Sequence, residues 1–217
     1  MDKQTRKFDI IEDFDRATPI FSKWKPSPGF RKIFDKSIIK TLGLLKKKNK
    51  INILEVGCGH GTWFGVINKL EFSKKIMYTG IDFSEKRIEA AKKFFKKDKK
   101  AKFLAADYME YNDNKKYNLI FFIEVFQYLH KKDFLKFFEK TREMLKQNGY
   151  VVIIDKEKYS MHSFKIFLGK FLKKLPYYYK HVHYPSFDYL AKLGKRFDFH
   201  FIKKMNVKEF NALVMKN

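Results

Sequence analysis

Short apolar runs alternate with longer stretches of helical periodicity along most of this chain. The apolar runs cover residues 51–56, 76–82, 103–107, 117–123 and 150–155. The intervening stretches 33–46, 62–70, 85–96 and 133–146 repeat apolar residues every three to four positions, as amphipathic helices do. This order predicts an α/β fold, a doubly wound, mostly parallel sheet with helices on both faces. A further helix at 186–194 and strands at 197–203 and 207–215 complete the predicted three-layer sandwich.

A loop with three glycines follows the first apolar run. Gly57, Gly59 and Gly61 are spaced G-x-G-x-G and are preceded by Glu55. Glycines permit backbone conformations and a close ligand approach that a Cβ would block. A dinucleotide fingerprint would place its third glycine at Thr62 instead, so the spacing indicates another ligand. A simple tight turn is the alternative interpretation of the loop alone.

The second and third apolar runs each end in an acidic residue. Asp82 lies roughly 20 residues beyond the glycines, where a carboxylate can accept hydrogen bonds from both ribose hydroxyls. Asp107 ends the third run and is suited to accept from an adenine amino group, with Tyr108 and Met109 lying on the ring. These acids support the interpretation of the glycine loop as a nucleoside-binding element.

The ordered series of motifs resembles the class I S-adenosylmethionine-dependent methyltransferases over about residues 38–157. The motifs that carry the resemblance are EVGCGHG at 55–61, GID at 80–82, AD at 106–107 and LIFFIEV at 119–125. The resemblance implies that the glycine loop lies against the methionine part of the cofactor and that the last strand is antiparallel. The predicted cofactor-binding residues are Glu55, Gly57, Cys58, Gly59, Gly61, Asp82, Phe83, Asp107, Tyr108, Met109 and Glu124.

The segment after the fifth strand is rich in aromatic residues and histidines, which favours a substrate-binding role. We expect residues 156–187 to form a lid insertion, since such insertions lie above the carboxyl ends of the strands. The candidate general bases are His130, His162 and His181, because imidazole can take a proton near neutral pH. The candidate substrate residues are Trp24, Tyr159, Tyr177 and His183. The alternatives are that His130 caps the following helix and that Trp24 anchors an N-terminal arm.

The expected domain organisation is an N-terminal arm at 1–37 and one methyltransferase domain at 38–217. A length of 217 residues suits one sizeable α/β domain. The only cysteine, Cys58, excludes an internal disulfide, and the first residues lack the apolar core of a signal peptide. We therefore expect a cytoplasmic protein. No metal is predicted, because His181 and His183 would need a third ligand from elsewhere.

The net charge of +24 and the pI near 9.8 suggest a polyanionic partner. The preference for lysine over arginine is also typical of an AT-rich genome. An amphipathic helix predicted at about 160–174 carries lysines and would suit an anionic membrane surface, although packing on its own domain is favoured.

The favoured function is methyl transfer from S-adenosylmethionine to an oxygen or nitrogen nucleophile of a small metabolite or sugar. RNA or another macromolecule is the alternative acceptor, which the charge supports. The chain nevertheless lacks an N/D-P-P-Y/F type of motif after the fourth strand. A third alternative is a non-catalytic cofactor-binding protein.

Overall fold

A seven-stranded sheet forms the centre of the molecule, in a computed structural model that describes residues 26–156 and 182–217. The strand order is β3-β2-β1-β4-β5-β7-β6. The strands are β1 Ile51–Val56, β2 Ile76–Asp82, β3 Ala101–Ala105, β4 Tyr117–Ile123, β5 Leu145–Lys156, β6 His200–Val207 and β7 Phe210–Lys216. Strands β1 to β5 are parallel, and β7 is antiparallel to both β5 and β6. The predicted doubly wound sheet with an antiparallel last strand is confirmed.

Helices cover both faces of this sheet, and a separate apolar core lies between each face and its helices. The helices are α1 Pro28–Phe34, α2 Lys40–Leu45, α3 Thr62–Ile67, α4 Glu85–Phe94, α5 Phe134–Met144 and α6 Phe187–Lys195. The buried side chains of α1 to α4 share one core cluster, and those of α5 and α6 share the other. Ser84 and Ser186 cap α4 and α6 through their side chains, as N-cap serines do. None of the helices in the two described ranges has the length and apolar composition needed to cross a bilayer.

The first helix begins earlier than the sequence predicted. The helical periodicity predicted a start at residue 33, whereas the helix begins at Pro28, which occupies the first turn, where a missing N–H costs nothing. Ser27 Oγ accepts from Phe30 N at 3.3 Å and caps this turn. A π-helical turn, Asp35–Ile39, joins α1 to α2. The predicted boundary between residues 37 and 38 therefore falls inside a continuous helical stretch, and residues from Pro28 onward belong to the domain.

The last two strands lie about three residues later than predicted. The sequence placed a turn at residues 204–206, whereas the turn is at Lys208 and Glu209, with Lys208 at φ 57°. Strand β6 is the edge of the sheet, and residues 200–203 are exposed. An exposed edge strand lacks the buried apolar face whose alternating pattern marks the start and end of a strand in the sequence. The predicted bounds of the last two strands were therefore displaced.

Candidate functional site

The glycine loop after β1 has a left-handed backbone at all three glycines. Gly57, Gly59 and Gly61 have φ values of 76°, 52° and 76°. Gly57 N and Cys58 N both donate to Ile81 O, at 2.8 and 3.0 Å, which joins the loop to the end of β2. A Cβ on Gly57 would lie 2.6 Å from a methyl carbon of Val125. Glycine is required here both for conformation and for space.

The Asp82 carboxylate connects the glycine loop to the start of α4. Its Oδ2 accepts from Gly59 N and its Oδ1 accepts from Ser84 N, both at 2.9 Å, although the residue is only 6% exposed. Both carboxylate oxygens of Asp82 therefore act as hydrogen-bond acceptors. Phe83, the next residue, is partly buried. Asp82 thus holds the glycine loop in place, and its carboxylate is the kind of acceptor that binds hydroxyl groups.

Glu55 and Cys58 form the floor beneath the loop. The Tyr78 hydroxyl donates to Glu55 Oε2, and burial raises the pKa of the Glu55 carboxyl well above its usual value. Cys58 packs so closely on β2 that a Cβ on Gly80 would lie 2.8 Å from its Sγ. Burial, followed by the nearby Asp82 charge, raises the pKa of the Cys58 thiol. These properties suit structural support rather than a reactive thiol.

The loop after β3 corrects one of the predicted contacts. Asp107 is partly exposed, and its Oδ1 accepts from Met109 N at 2.9 Å. The Tyr108 ring instead points into the core, where its hydroxyl lies 2.8 Å from Thr141 Oγ1 and its face meets Phe122. Tyr108 is only 4% exposed, so its ring does not lie on a ligand at this edge. A buried tyrosine needs a hydrogen-bond partner, and Thr141 supplies it.

A second loop, Glu124–His130, lies beside the glycine loop at the end of β4. Glu124 has φ 54°, which is strained for a residue with a Cβ, and its carboxylate lies 3.3 Å from Lys156 Nζ. Asp155 is fully buried below this loop and accepts from Gln127 N at 3.0 Å and from Lys156 N at 2.9 Å. Burial, and then the Glu124 charge, raises the pKa of the Asp155 carboxyl.

His130 and His183 come together at the far end of the second loop. Their ring centroids are 6.5 Å apart, and His183 N donates to Gln127 O at 2.6 Å. The two rings line a groove of about 340 Å³. His130 accepts from Asp133 N through its carbonyl oxygen, not through its imidazole. The predicted residues Trp24, Tyr159, His162, Tyr177 and His181 lie outside the described residues.

Sequence reasoning did not single out two basic side chains at the glycine loop. His60 Nε2 is buried without a hydrogen-bond partner among the described residues. Burial and the nearby Arg87 guanidinium lower the pKa of His60 to about 4, so the imidazole is neutral at neutral pH. Arg87 Nη1 lies 3.9 Å from the position that a Cβ on Gly59 would occupy. The placement of His60 inside the glycine motif was the available signal.

A family model described as a methyltransferase domain matches residues 30–204 of the chain. The ubiquinone biosynthesis O-methyltransferase of Pelagibacter ubique is 32% identical over 139 residues, covering 60% of this chain and 55% of the relative. The malonyl-[acyl-carrier protein] O-methyltransferase 1 of Ilyobacter polytropus is 34% identical over 104 residues, covering 48% of this chain and 37% of the relative. The chain spans about half the length, or less, of these curated relatives.

Solved structures share the fold at low sequence identity. Magnesium protoporphyrin IX methyltransferase from Synechocystis, with bound SAH, superimposes with a TM-score of 0.73 at 12% identity, covering 100% of both chains. The N-methyltransferase NodS from Bradyrhizobium japonicum, in complex with S-adenosyl-L-homocysteine, gives a TM-score of 0.71 at 15% identity. That match covers 96% of this chain and 98% of NodS. These likenesses establish the architecture of the chain.

Proposed function

The chain belongs to the methyltransferase domain family, and on this premise we propose that it transfers a methyl group from S-adenosylmethionine to a small acceptor. The acceptor atom is an oxygen or nitrogen of a metabolite or sugar. Both curated relatives are named as O-methyltransferases, which supports an oxygen acceptor. The observation that carries the proposal is the glycine loop held directly against Asp82.

The residues present fit this cofactor. In the glycine loop Gly57 and Gly61 leave no room for a Cβ, whereas a Cβ on Gly59 would make only an ordinary contact with Arg87. We assign Asp82 to the ribose hydroxyls and Asp107 to the adenine amino group, because both acids lie at the carboxyl ends of strands that pair in register. His60 is neutral, and its Nε2 has no partner among residues 26–156 and 182–217, so it is a further hydrogen-bonding group beside the loop.

The chemistry asks little of the protein beyond positioning. The sulfonium of the bound cofactor supplies an electrophilic methyl group. The residues around it need to bind and orient the acceptor, exclude water and in some cases take one proton. His130 and His183 are our candidates for the proton acceptor, since they lie together at the end of the Glu124–His130 loop.

The acceptor side is assigned to the region between β5 and α6. Lys156 ends β5 beside Glu124, and His183 is hydrogen-bonded to Gln127. Both flanks of residues 157–181 therefore lie at the edge that carries the glycine loop. This supports our proposal that Tyr159, His162, Tyr177 and His181 help to select the acceptor.

The proposal is tested by titration calorimetry with S-adenosylmethionine. Replacing Asp82 with Asn removes an acceptor and should weaken binding by about 1 to 3 kcal/mol. Asp188→Asn is the matched control, because Asp188 is an exposed acid on α6. Equal cofactor affinity of Asp82→Asn and wild type, with both proteins folded by circular dichroism, would remove Asp82 from the donor site. Failure of the wild type to bind the cofactor at all would overturn the proposed activity.

A further inference from the structure

Lysine-rich loops gather at the amino-terminal edge of the sheet, opposite the candidate site. We call the loops 46–50, 69–75, 95–100 and 112–116 the lysine rim. The rim contains thirteen lysines and three acidic residues. Each of its loops leads directly into the start of β1, β2, β3 or β4. Since these strands are parallel, their amino ends lie along one edge.

Contacts between the loops show that much of the rim is one continuous surface. Lys75 Nζ donates to Lys46 O at 3.2 Å, which joins the loops before β1 and β2. Lys100 Nζ donates to Asn68 Oδ1 at 2.8 Å and to Ser73 O at 3.4 Å, which joins the loops before β2 and β3. The lysines at 47, 74 and 97 are exposed on this surface.

The described loops at the opposite edge contain fewer lysines. These loops, residues 57–61, 83–84, 106–111, 124–133 and 182–186, contain two lysines and four acidic residues. A genome-wide preference for lysine would enrich the loops at both edges alike. Among the described loops, the lysines are therefore concentrated at the rim.

Large apolar side chains are exposed beside the rim. Phe94, at the end of α4, is 81% exposed, and Leu44, at the end of α2, is 66% exposed. Both helices lie on the same face of the sheet, and each ends next to rim lysines. Met77, near the start of β2, is 38% exposed. The rim is therefore bordered by exposed apolar side chains as well as by charge.

We propose that the lysine rim, with Leu44 and Phe94, docks the protein on an anionic lipid bilayer. Lysines near such a surface are attracted by its negative potential, and apolar side chains bury themselves at the level of the headgroups. Nucleic acid would use the lysines equally well, but an exposed leucine gains nothing from a phosphate backbone. An anionic bilayer stabilises both kinds of side chain, the lysines through its charge and the apolar groups at the headgroup level.

Docking in this way leaves the candidate site directed away from the lipid. The strands that run from the rim to the candidate site are five or more residues long. Because a strand rises by about 3.3 Å per residue, the length of the strands separates the site from the rim. Acceptor and cofactor therefore reach the site from the aqueous side while the protein stays at the membrane. The inference does not depend on the proposed methyl transfer, and its test needs no acceptor.

The test is sedimentation of the full chain with vesicles of phosphatidylcholine alone or mixed with phosphatidylglycerol. The rim variant Lys47→Glu/Lys74→Glu/Lys97→Glu should partition about 100-fold less onto the mixed vesicles, because each lysine near an anionic surface is attracted to it. The control Lys192→Glu/Lys195→Glu/Lys203→Glu changes the net charge equally on α6 and β6. It should retain most of the binding.

A second pair of variants tests the apolar contribution. Leu44→Ser/Phe94→Ser should lower partitioning about tenfold, since two apolar side chains no longer enter the interface. Its control is Tyr189→Ser/Phe201→Ser, which removes exposed aromatic side chains on α6 and β6. Circular dichroism checks that each variant is folded.

Three outcomes would overturn the proposal. The first is that the wild type fails to sediment with the mixed vesicles, and the second is that it binds phosphatidylcholine vesicles equally well. The third is that the rim variant loses no more binding than its charge-matched control. If the rim variant instead loses affinity for a double-stranded RNA while wild-type vesicle binding is negligible, the surface belongs to nucleic acid.

Discussion

Two neighbouring loops at the carboxyl edge of the sheet reach similar left-handed backbone conformations by opposite means. The loop after β1 uses glycines at all three positions of positive φ, where they cost no steric strain. The loop after β4 begins with Glu124 at φ 54°, held by Lys156 and by the buried Asp155 below. The first loop is relaxed and is specified by its own residues. The second is strained and depends on its surroundings, a combination that is common at functional sites.

The largest expected effect comes from adding a methyl group at Gly61. A Cβ there would lie 2.8 to 2.9 Å from the rings of Phe103 and Phe95, at φ 76°. Gly61→Ala should lower the free energy of unfolding by about 3 kcal/mol or more, from overpacking and backbone strain together. Gly59→Ala is the control, because its nearest contact would be 3.9 Å away and only strain of about 1 to 2 kcal/mol remains. Equal losses in urea denaturation would show that the rings can move aside.

An intermediate effect is expected at Asp155, which supports the second loop. Asp155→Asn leaves one of the two N–H donors, from Gln127 or Lys156, facing an amide NH₂. We expect a loss of about 1 to 3 kcal/mol in the free energy of unfolding, the cost of one buried donor without an acceptor. The measurement is urea denaturation of the variant beside the wild type.

This loss should depend on pH, because burial raises the pKa of the Asp155 carboxyl in the folded protein. The folded state then holds the proton more tightly than the unfolded state. The wild type should therefore lose stability as pH rises above the usual carboxyl value of about 4. The amide of the Asp155→Asn variant cannot ionise, so the difference between variant and wild type should shrink towards alkaline pH. Parallel stability curves from pH 4 to pH 8 would contradict this account.

The smallest expected effect isolates the strain at Glu124. Both Glu124→Gly and Glu124→Ala remove the ion pair with Lys156, but only glycine relaxes at φ 54°. The glycine variant should be more stable than the alanine variant by about 1 kcal/mol. The measurement is the difference in urea midpoint between the two variants. Identical midpoints would show that the loop is not strained, and the contrast between the loops would disappear.

The same contrast explains what could be predicted from the sequence. Glycines and acids that follow apolar runs are typical of the loops at the carboxyl ends of parallel strands. The glycine loop, the position of Asp82 and the parallel sheet could therefore be predicted from the sequence. The prediction for the Tyr108 ring was wrong because a residue next to a motif lies near the site, while its side chain can still point into the core. The Tyr108 hydroxyl is bonded to Thr141 on α5, 33 residues later, and a local motif does not indicate such a contact. The start of α1 was missed because Pro28 stops a helix in the interior but favours one at the first turn.

The position of the last strand means that the sheet cannot be completed until the end of the chain has been synthesised. Strand β7 lies between β5 and β6, and Phe210 at its start stacks on Phe30 of α1 with ring centroids 4.3 Å apart. Until residue 210 leaves the exit tunnel, β5 has an unpaired edge and α1 lacks this partner. Pairing edges that stay exposed during synthesis invite aggregation. A nascent chain arrested before residue 210 should therefore need a chaperone, although every motif of the candidate site has already been translated.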